Sequence, residues 1–490
     1  FGEWLPDQPD HLNPGATVAT NVYHAQSSYK PVKGLVAYSG ASNVTQNAKG
    51  AGSFRDNTNT VFTFVGTKNN IYKLTSGSFA SVKGSCTVSG GDSDFFTFTQ
   101  FGQFVIASNG VNPPMYYEMG TSTNFATLQS LASASGSGTV PAKFKTSGVI
   151  RDFLVTGNIE NAKNRVAWSG INDISTWEAG VSSSDTQDLP GSGGQIVAIT
   201  SGEVGYIFRE DSILRMDFVG GNVVFRFSVL SPNRGAVYGQ TVCQDNRQVF
   251  FYASDGFFQI NGDQILPIGA EKVNRFFDGD LNKAYTDRIT AAVDPFNTLA
   301  IWLYPSKDNP NTTGICDKLL IYNYVTQKWS IAKVKASQIF KQFVVANTVE
   351  LMDIISENLD DINISLDTAF WTTGHLYLGA IDENFKAAIF SGKNLEAELE
   401  TKEQEIFPGL RANITGVRPI VDASANVTIK TRDRLVDTVT TSASSSMNDT
   451  GINPVRQSGR YIRANIKIPE ASLWTNAQGI DLTAVPGGDR

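Results

Sequence analysis

The residues able to do chemistry are few and scattered. Three histidines, His11, His24 and His375, exclude a His-rich metal site. Three cysteines, Cys86, Cys243 and Cys316, lack the CxxC spacing that zinc or redox work needs, so they read as buried small hydrophobes. No GxSxG elbow, Walker phosphate loop, HExxH helix or GxGxxG between strand and helix is present, and those are the motifs whose geometry forces a function. A glycoside hydrolase needs two carboxylates converging on the sugar. Glu210, Asp211, Asp217, Asp255 and Asp294 are candidates, but each falls in a polar turn or at a strand end, where a solvated acid is the default. The reading is of a chain without enzymatic activity, cofactor or metal.

Two acidic features stand apart. No Lys or Arg occurs between Lys341 and Lys386, while Glu350, Asp353, Glu357, Asp360, Asp361 and Asp367 crowd that interval, followed by Asp382 and Glu383. They read as an acidic, solvated face. The second is Leu395-Glu396-Ala397-Glu398-Leu399-Glu400, where strict alternation puts Glu396, Glu398 and Glu400 on one face of a strand. A helix competes, because Glu398 and Lys402 would then pair at i,i+4.

The elements that carry these residues are strands. Of 490 residues 41% are hydrophobic and 18% charged, with 44 Gly and 30 Phe, a composition of a Gly-punctuated globular β protein rather than a disordered chain or coiled coil. Apolar runs such as Val249 to Tyr252 are far shorter than the roughly 20 residues of a membrane helix, so no membrane insertion is expected. Pairs of short apolar strands recur with centres near residues 62, 105, 167, 206, 250 and 300. The intervals, 43, 62, 39, 44 and 50, fit four-stranded propeller blades, which repeat at about 40 to 50 residues. Stacked sandwiches are the competing architecture. The expected fold is all-β: a propeller of about six blades, five to seven, over 51–392, then a C-terminal β-sandwich over 393–490. Residues 1–50 form an extended arm, from which Ala16 to Tyr23 or Gly34 to Tyr38 can close the last blade by pairing with Gly374 to Leu378 or Ala387 to Phe390. Trp302 and Trp329 read as core, and Trp371 and Trp474 as ledges beside loops.

The chain ends carry a resemblance. Trp4-Leu5-Pro6-Asp7, Asn13-Pro14-Gly15-Ala16-Thr17-Val18-Ala19 and Tyr29-Lys30-Pro31 resemble the opening of structural proteins from the tails of short-tailed DNA bacteriophages. Thr415 to Asp422, Thr431 to Leu435, Ser458 to Arg463 and Trp474 to Ile480 are similar to that family's closing sandwich, and Phe251 to Gly256 with Ile321 to Asn323 to the propeller of its tail nozzle, or hub, proteins, also called packaged-DNA stabilisation proteins. Val344 to Thr368 departs from the pattern. The resemblance implies a hexameric tube in the virion tail, assembled in the host cytoplasm below the portal and adaptor. Such a tube retains and conducts the genome and carries tail-fibre or adhesion proteins. It makes Trp4, Leu5, Arg460, Tyr461, Arg463 and Trp474 the expected assembly contacts and offers Glu396, Glu398 and Glu400 as lumen-facing acids, the outer wall being their alternative place. Composition agrees at one point. Forty Lys+Arg against 47 Asp+Glu give a net charge of −7, carried wholly by residues 1–390, and a conduit works best when its wall does not bind phosphate. A glycan-binding or receptor-binding propeller used in host attachment, recognisable by exposed aromatic ledges, is the alternative.

Overall fold

The computed structural model describes residues 1–11, 13–37, 44–75, 77–221, 223–310, 314–343 and 376–488. Five successive four-stranded antiparallel meanders open the ring. Their first strands are Gly50–Arg55, Thr97–Phe101, Phe144–Ile150, Ile196–Ile199 and Cys243–Asp245, and each pairs only with the strand that follows it in sequence. The sixth blade begins Thr290–Asp294, Leu299–Tyr304 and Cys316–Asn323, and its fourth strand is the front half of Lys328–Phe343, a single strand of 16 residues. The back half of that strand pairs with Leu376–Asp382, which pairs with Ala387–Ile389. Val36–Ala37 adds the outer edge, with Ala37 opposite Ala388 and Val36 opposite Ile389. The described residues thus form a β-propeller of seven blades whose last blade is closed by an N-terminal strand.

The 62-residue interval has a simple origin. Arg165 to Trp168 belongs to the third strand of its blade, Ala162–Trp168, whereas the other centres lie in second strands; the second strand here is Phe153–Ile159. Phe153–Ile159 is buried along its whole length, so it lacks the polar punctuation that marks the other couplets. The seventh blade left no couplet because its outer two strands are only two and three residues long.

A β-sandwich packs beside blade six. One of its sheets runs Val18–Thr20, Ala397–Glu400, Tyr461–Ile468, Asn426–Arg432; the other runs Val22–Ala25, Ser28–Pro31, Ala477–Pro486, Ala412–Val421, Asn453–Gly459. Residues 1–37 are therefore woven into both bodies rather than extended as an arm. Thr20 also pairs in parallel with Ile331, so the sandwich sheet continues into the outer strand of blade six. The alternation of Val427 and Ile429 with Thr428 and Lys430 turns one face of Asn426–Arg432 inward, the half-buried pattern of a sandwich strand.

One apolar core spans this junction. Leu399, Ile414, Ile429 and Ile466 of the sandwich belong to the same cluster as Phe257, Trp302 and Trp329 of blades five and six. Trp302 and Trp329 are fully buried and stack at 5.7 Å, and Phe257 meets Trp302 edge-on at 4.8 Å. Both indoles find acceptors, Trp302 Nε1 on the Thr241 carbonyl at 3.0 Å and Trp329 Nε1 on the Ile268 carbonyl at 2.8 Å. Trp329→Ala should therefore destabilise the chain by roughly 3–5 kcal/mol, the usual cost of emptying an aromatic site in a packed core. Chemical denaturation should show that loss, whereas Val325→Ala, at an exposed turn, should leave the midpoint unchanged.

Candidate functional site

Polar side chains concentrate in two places. The first is the propeller axis, where the innermost strands of all seven blades line a cavity of about 800 Å³. Its charged residues are Lys145, Glu210, Asp287 and Lys341, two of each sign. Gln195 donates its amide to Glu210 Oε1 at 2.8 Å, and Lys341 Nζ donates to the Gln244 carbonyl at 3.0 Å, from blade seven to blade five. Hydroxyls join adjacent blades: Thr99 Oγ1 lies 2.8 Å from Ser147 Oγ.

The second place is the strand Ala397–Glu400, which settles the strand-or-helix alternative as strand. Ala397 and Leu399 point into the core and the acids point the other way. Glu396 is exposed. Glu398 is half-buried, accepts from Asn465 Nδ2 at 2.8 Å and lies 3.9 Å from Lys467. Glu400 is 2% exposed, ion-paired with Lys430 and 3.5 Å from Arg463, and it accepts from the Thr17 hydroxyl at 3.0 Å. Glu403, also 2% exposed, takes a two-pronged contact from Arg432, with Nε at 2.8 Å. Arg463 reaches on to Asp10 at 3.0 Å.

The expected lumen ring is thereby corrected at Glu400. A carboxylate sealed between two cations presents no repulsive field to a strand of DNA, and its place is structural. Sequence reasoning missed its partner Lys430 and the neighbouring buried pair of Glu403 with Arg432. The signal was available: Lys430 and Arg432 repeat with period two on the face opposite Val427 and Ile429, complementing the spacing of the acids.

Four expected assembly contacts are also corrected. Trp4, Leu5, Arg463 and Trp474 are buried within this one chain, at 3%, 8%, 8% and 3% exposure. Trp4 is held edge-on to Phe276 at 5.0 Å, and its Nε1 donates to the Thr17 carbonyl. Trp474 lies in the shared core and is no ledge. Arg460 and Tyr461 are half-buried; Arg460 donates to the Gly409 carbonyl at 3.2 Å, and the Tyr461 ring meets His11 edge-on. Glu350, Asp353, Glu357, Asp360, Asp361, Asp367, Trp371 and His375 lie outside the described residues.

The acids weighed as hydrolase groups hold local partners. Asp217 pairs with Arg215 at 2.8 Å, and Asp255 is gripped by Arg234 at 2.6 Å. Asp294 closes its own turn, accepting from the Phe296 backbone at 3.1 Å and the Asn297 amide at 2.7 Å, and Asp211 is exposed in a turn. Among the described residues no group of three or more His, Cys, Asp or Glu is placed to hold a metal ion. All three cysteines are free and buried, and burial pushes the Cys243 thiol up to about 12. That suits packing and disfavours a nucleophile. No helix among the described residues is long and apolar enough to cross a membrane.

No protein-family model matches the sequence, and no curated protein matches it. Solved structures match in fold. The extracellular domain of BT4673 from B. thetaiotaomicron is similar at 10% identity and a TM-score of 0.41, over 73% of this chain and 39% of that one. U3-55K is similar at 9% identity and 0.39, over 73% and 98%; the Neurospora crassa Pan2 WD40 domain at 8% and 0.38, over 75% and 96%. Likenesses this remote say nothing about activity.

Two outcomes follow from this geometry. Glu400→Gln should cost roughly 3 kcal/mol, because breaking a buried pair leaves Lys430 without its carboxylate and takes one anion from Arg463, which keeps Asp10, while Glu396→Gln should leave the denaturation midpoint unchanged. The second concerns His24, which is buried; Lys328 Nζ lies 3.0 Å from its Nε2. Burial, and then the neighbouring Lys328 charge, lower its pKa to about 4. The unfolded chain takes up this proton near pH 6.5, so between about 6.5 and 4 the unfolded state binds more protons. Stability is therefore present above that window and lost on descending through it, on the order of 3 kcal/mol. Stability curves from pH 7 to 4 should fall less steeply for His24→Gln than for the wild type.

Proposed function

We propose that this chain is a non-enzymatic structural component of a bacteriophage tail, a nozzle or hub protein. In this reading six copies form a ring that retains packaged DNA and passes it during ejection. The ring docks below the portal and adaptor and serves as a platform for tail-fibre or adhesion proteins. The observation that carries the reading is the meeting of the two terminal segments on which the family resemblance rests. Tyr29 stands opposite Ala477, Ser28 Oγ donates to Asn476 Oδ1 at 2.9 Å, and Asp10 reaches Arg463 at 3.0 Å. Segments separated by most of the chain resemble one family and share one sandwich. The rigidity needed by a load-bearing ring is supported by the core running from sandwich to blades.

The wall of the conduit needs a different account from the one that centred on Glu400. With the charges of residues 391–490 balanced, repulsion of DNA falls to the acidic excess of residues 1–390. The glycan-binding alternative loses one of its two ledges, since Trp474 is buried; the other, Trp371, lies outside the described residues.

Native mass spectrometry and class averages from electron microscopy test the reading. A closed ring of six is the expected result, and a chain that stays monomeric at assembly concentrations would overturn it. Duplex DNA should bind no tighter than about micromolar at physiological salt, because few phosphate contacts are offered. Submicromolar, salt-sensitive binding would contradict the conduit.

A further inference from the structure

The axial cavity has the makings of a ligand site. Its volume, about 800 Å³, falls in the range of roughly 300–1,000 Å³ typical of small-molecule pockets. Its two cations and two anions cancel, so the wall favours an ion of neither sign. What the wall offers instead is primary amides, from Gln100, Asn158, Gln195, Gln240, Gln244 and Gln338. An amide both donates and accepts, which matches a hydroxyl. The Phe54 ring adds an apolar surface.

Four of these amides are engaged and Gln240 is half-buried; Asn158 donates to the Ile196 carbonyl at 2.7 Å. Gln100 donates to the Arg55 carbonyl at 2.7 Å, Gln195 to Glu210, and Gln244 to the Ser201 carbonyl at 2.7 Å. Gln338 differs. It is 6% exposed, its Nε2 reaches only the Ile339 carbonyl at 3.4 Å, and its Oε1 is shielded from solvent without a donor. A buried acceptor left unsatisfied carries a desolvation penalty. The terminal torsion of a glutamine is broad, so turning Oε1 to the cavity costs little, and a ligand hydroxyl there would relieve the penalty.

The geometry points to a neutral polyhydroxylated ligand, a mono- or disaccharide, seated in the axial cavity with one hydroxyl donated to Gln338 Oε1. The inference stands apart from the ring assembly and survives or fails without it.

Calorimetry of the full chain with glucose, galactose, mannose, N-acetylglucosamine, maltose and lactose provides the test. At least one should bind with a Kd of about 10 mM or tighter. Gln338→Leu is close in volume and removes a buried acceptor that has no partner, so it should fold at least as stably as the wild type. It should weaken binding about tenfold, the worth of one neutral hydrogen bond. No binding by any of the six, or equal binding by Gln338→Leu, would overturn the site. Should the variant not fold, wild-type crystals soaked with the tightest sugar decide. Sugar density against Gln338 supports the inference, and density elsewhere or none refutes it.

Discussion

Each propeller blade is apolar on both faces and must be covered by its neighbours, so the ring depends on how its last blade is held. Here that burden falls on one strand, Lys328–Phe343. Its front half is the outer edge of blade six and its back half the inner strand of blade seven. The change of partner comes where the register shifts on both sides, at Cys316/Lys318 and at Ala336/Gln338. An irregularity of this kind raises local twist and lets a strand leave one sheet for the next. Two blades thus share a continuous backbone, and the ring gains a splice that an ordinary loop would not provide.

The same strand ties the sandwich to the propeller. Ile331 pairs with Thr20, and Thr20 pairs on its other side with Glu398. The N-terminal segment is then held here, again in the second sandwich sheet at Tyr29, and once more at Val36–Ala37 in blade seven. Charges caught in this junction must be paired, since a lone buried carboxylate costs several kcal/mol. Glu400 and Glu403 accordingly lie among Lys430, Arg432 and Arg463. Acidic alternation that looks like a surface device is, at its buried end, part of the joint.

For function, this architecture separates two surfaces. The axial cavity, about 800 Å³ and lined by polar side chains, with Lys341 of blade seven donating to the Gln244 carbonyl of blade five, has the scale of a small solute rather than a duplex. In the ring proposed above, a conduit for DNA would lie between copies of the chain rather than along this axis.

Much of this was legible in the sequence because it depends on local pattern. Alternating apolar residues, Gly and Asn at turns and an interval near 40 to 50 residues specify strands, hairpins and a ring of blades. Trp302 and Trp329 were readable as core from their strand-like contexts. What the sequence could not decide is partnership across long separations. Nothing local in Val18 to Thr20 says that it pairs with Glu398 to Glu400, and nothing in Trp474 says that a sheet will cover it. Burial of Trp4, Arg463 and Glu400 is set by segments hundreds of residues away, so their roles changed from contact or lumen to core and joint. The axial cavity likewise exists only once seven inner strands face one another, bringing Gln338 into a wall that no stretch of sequence contains.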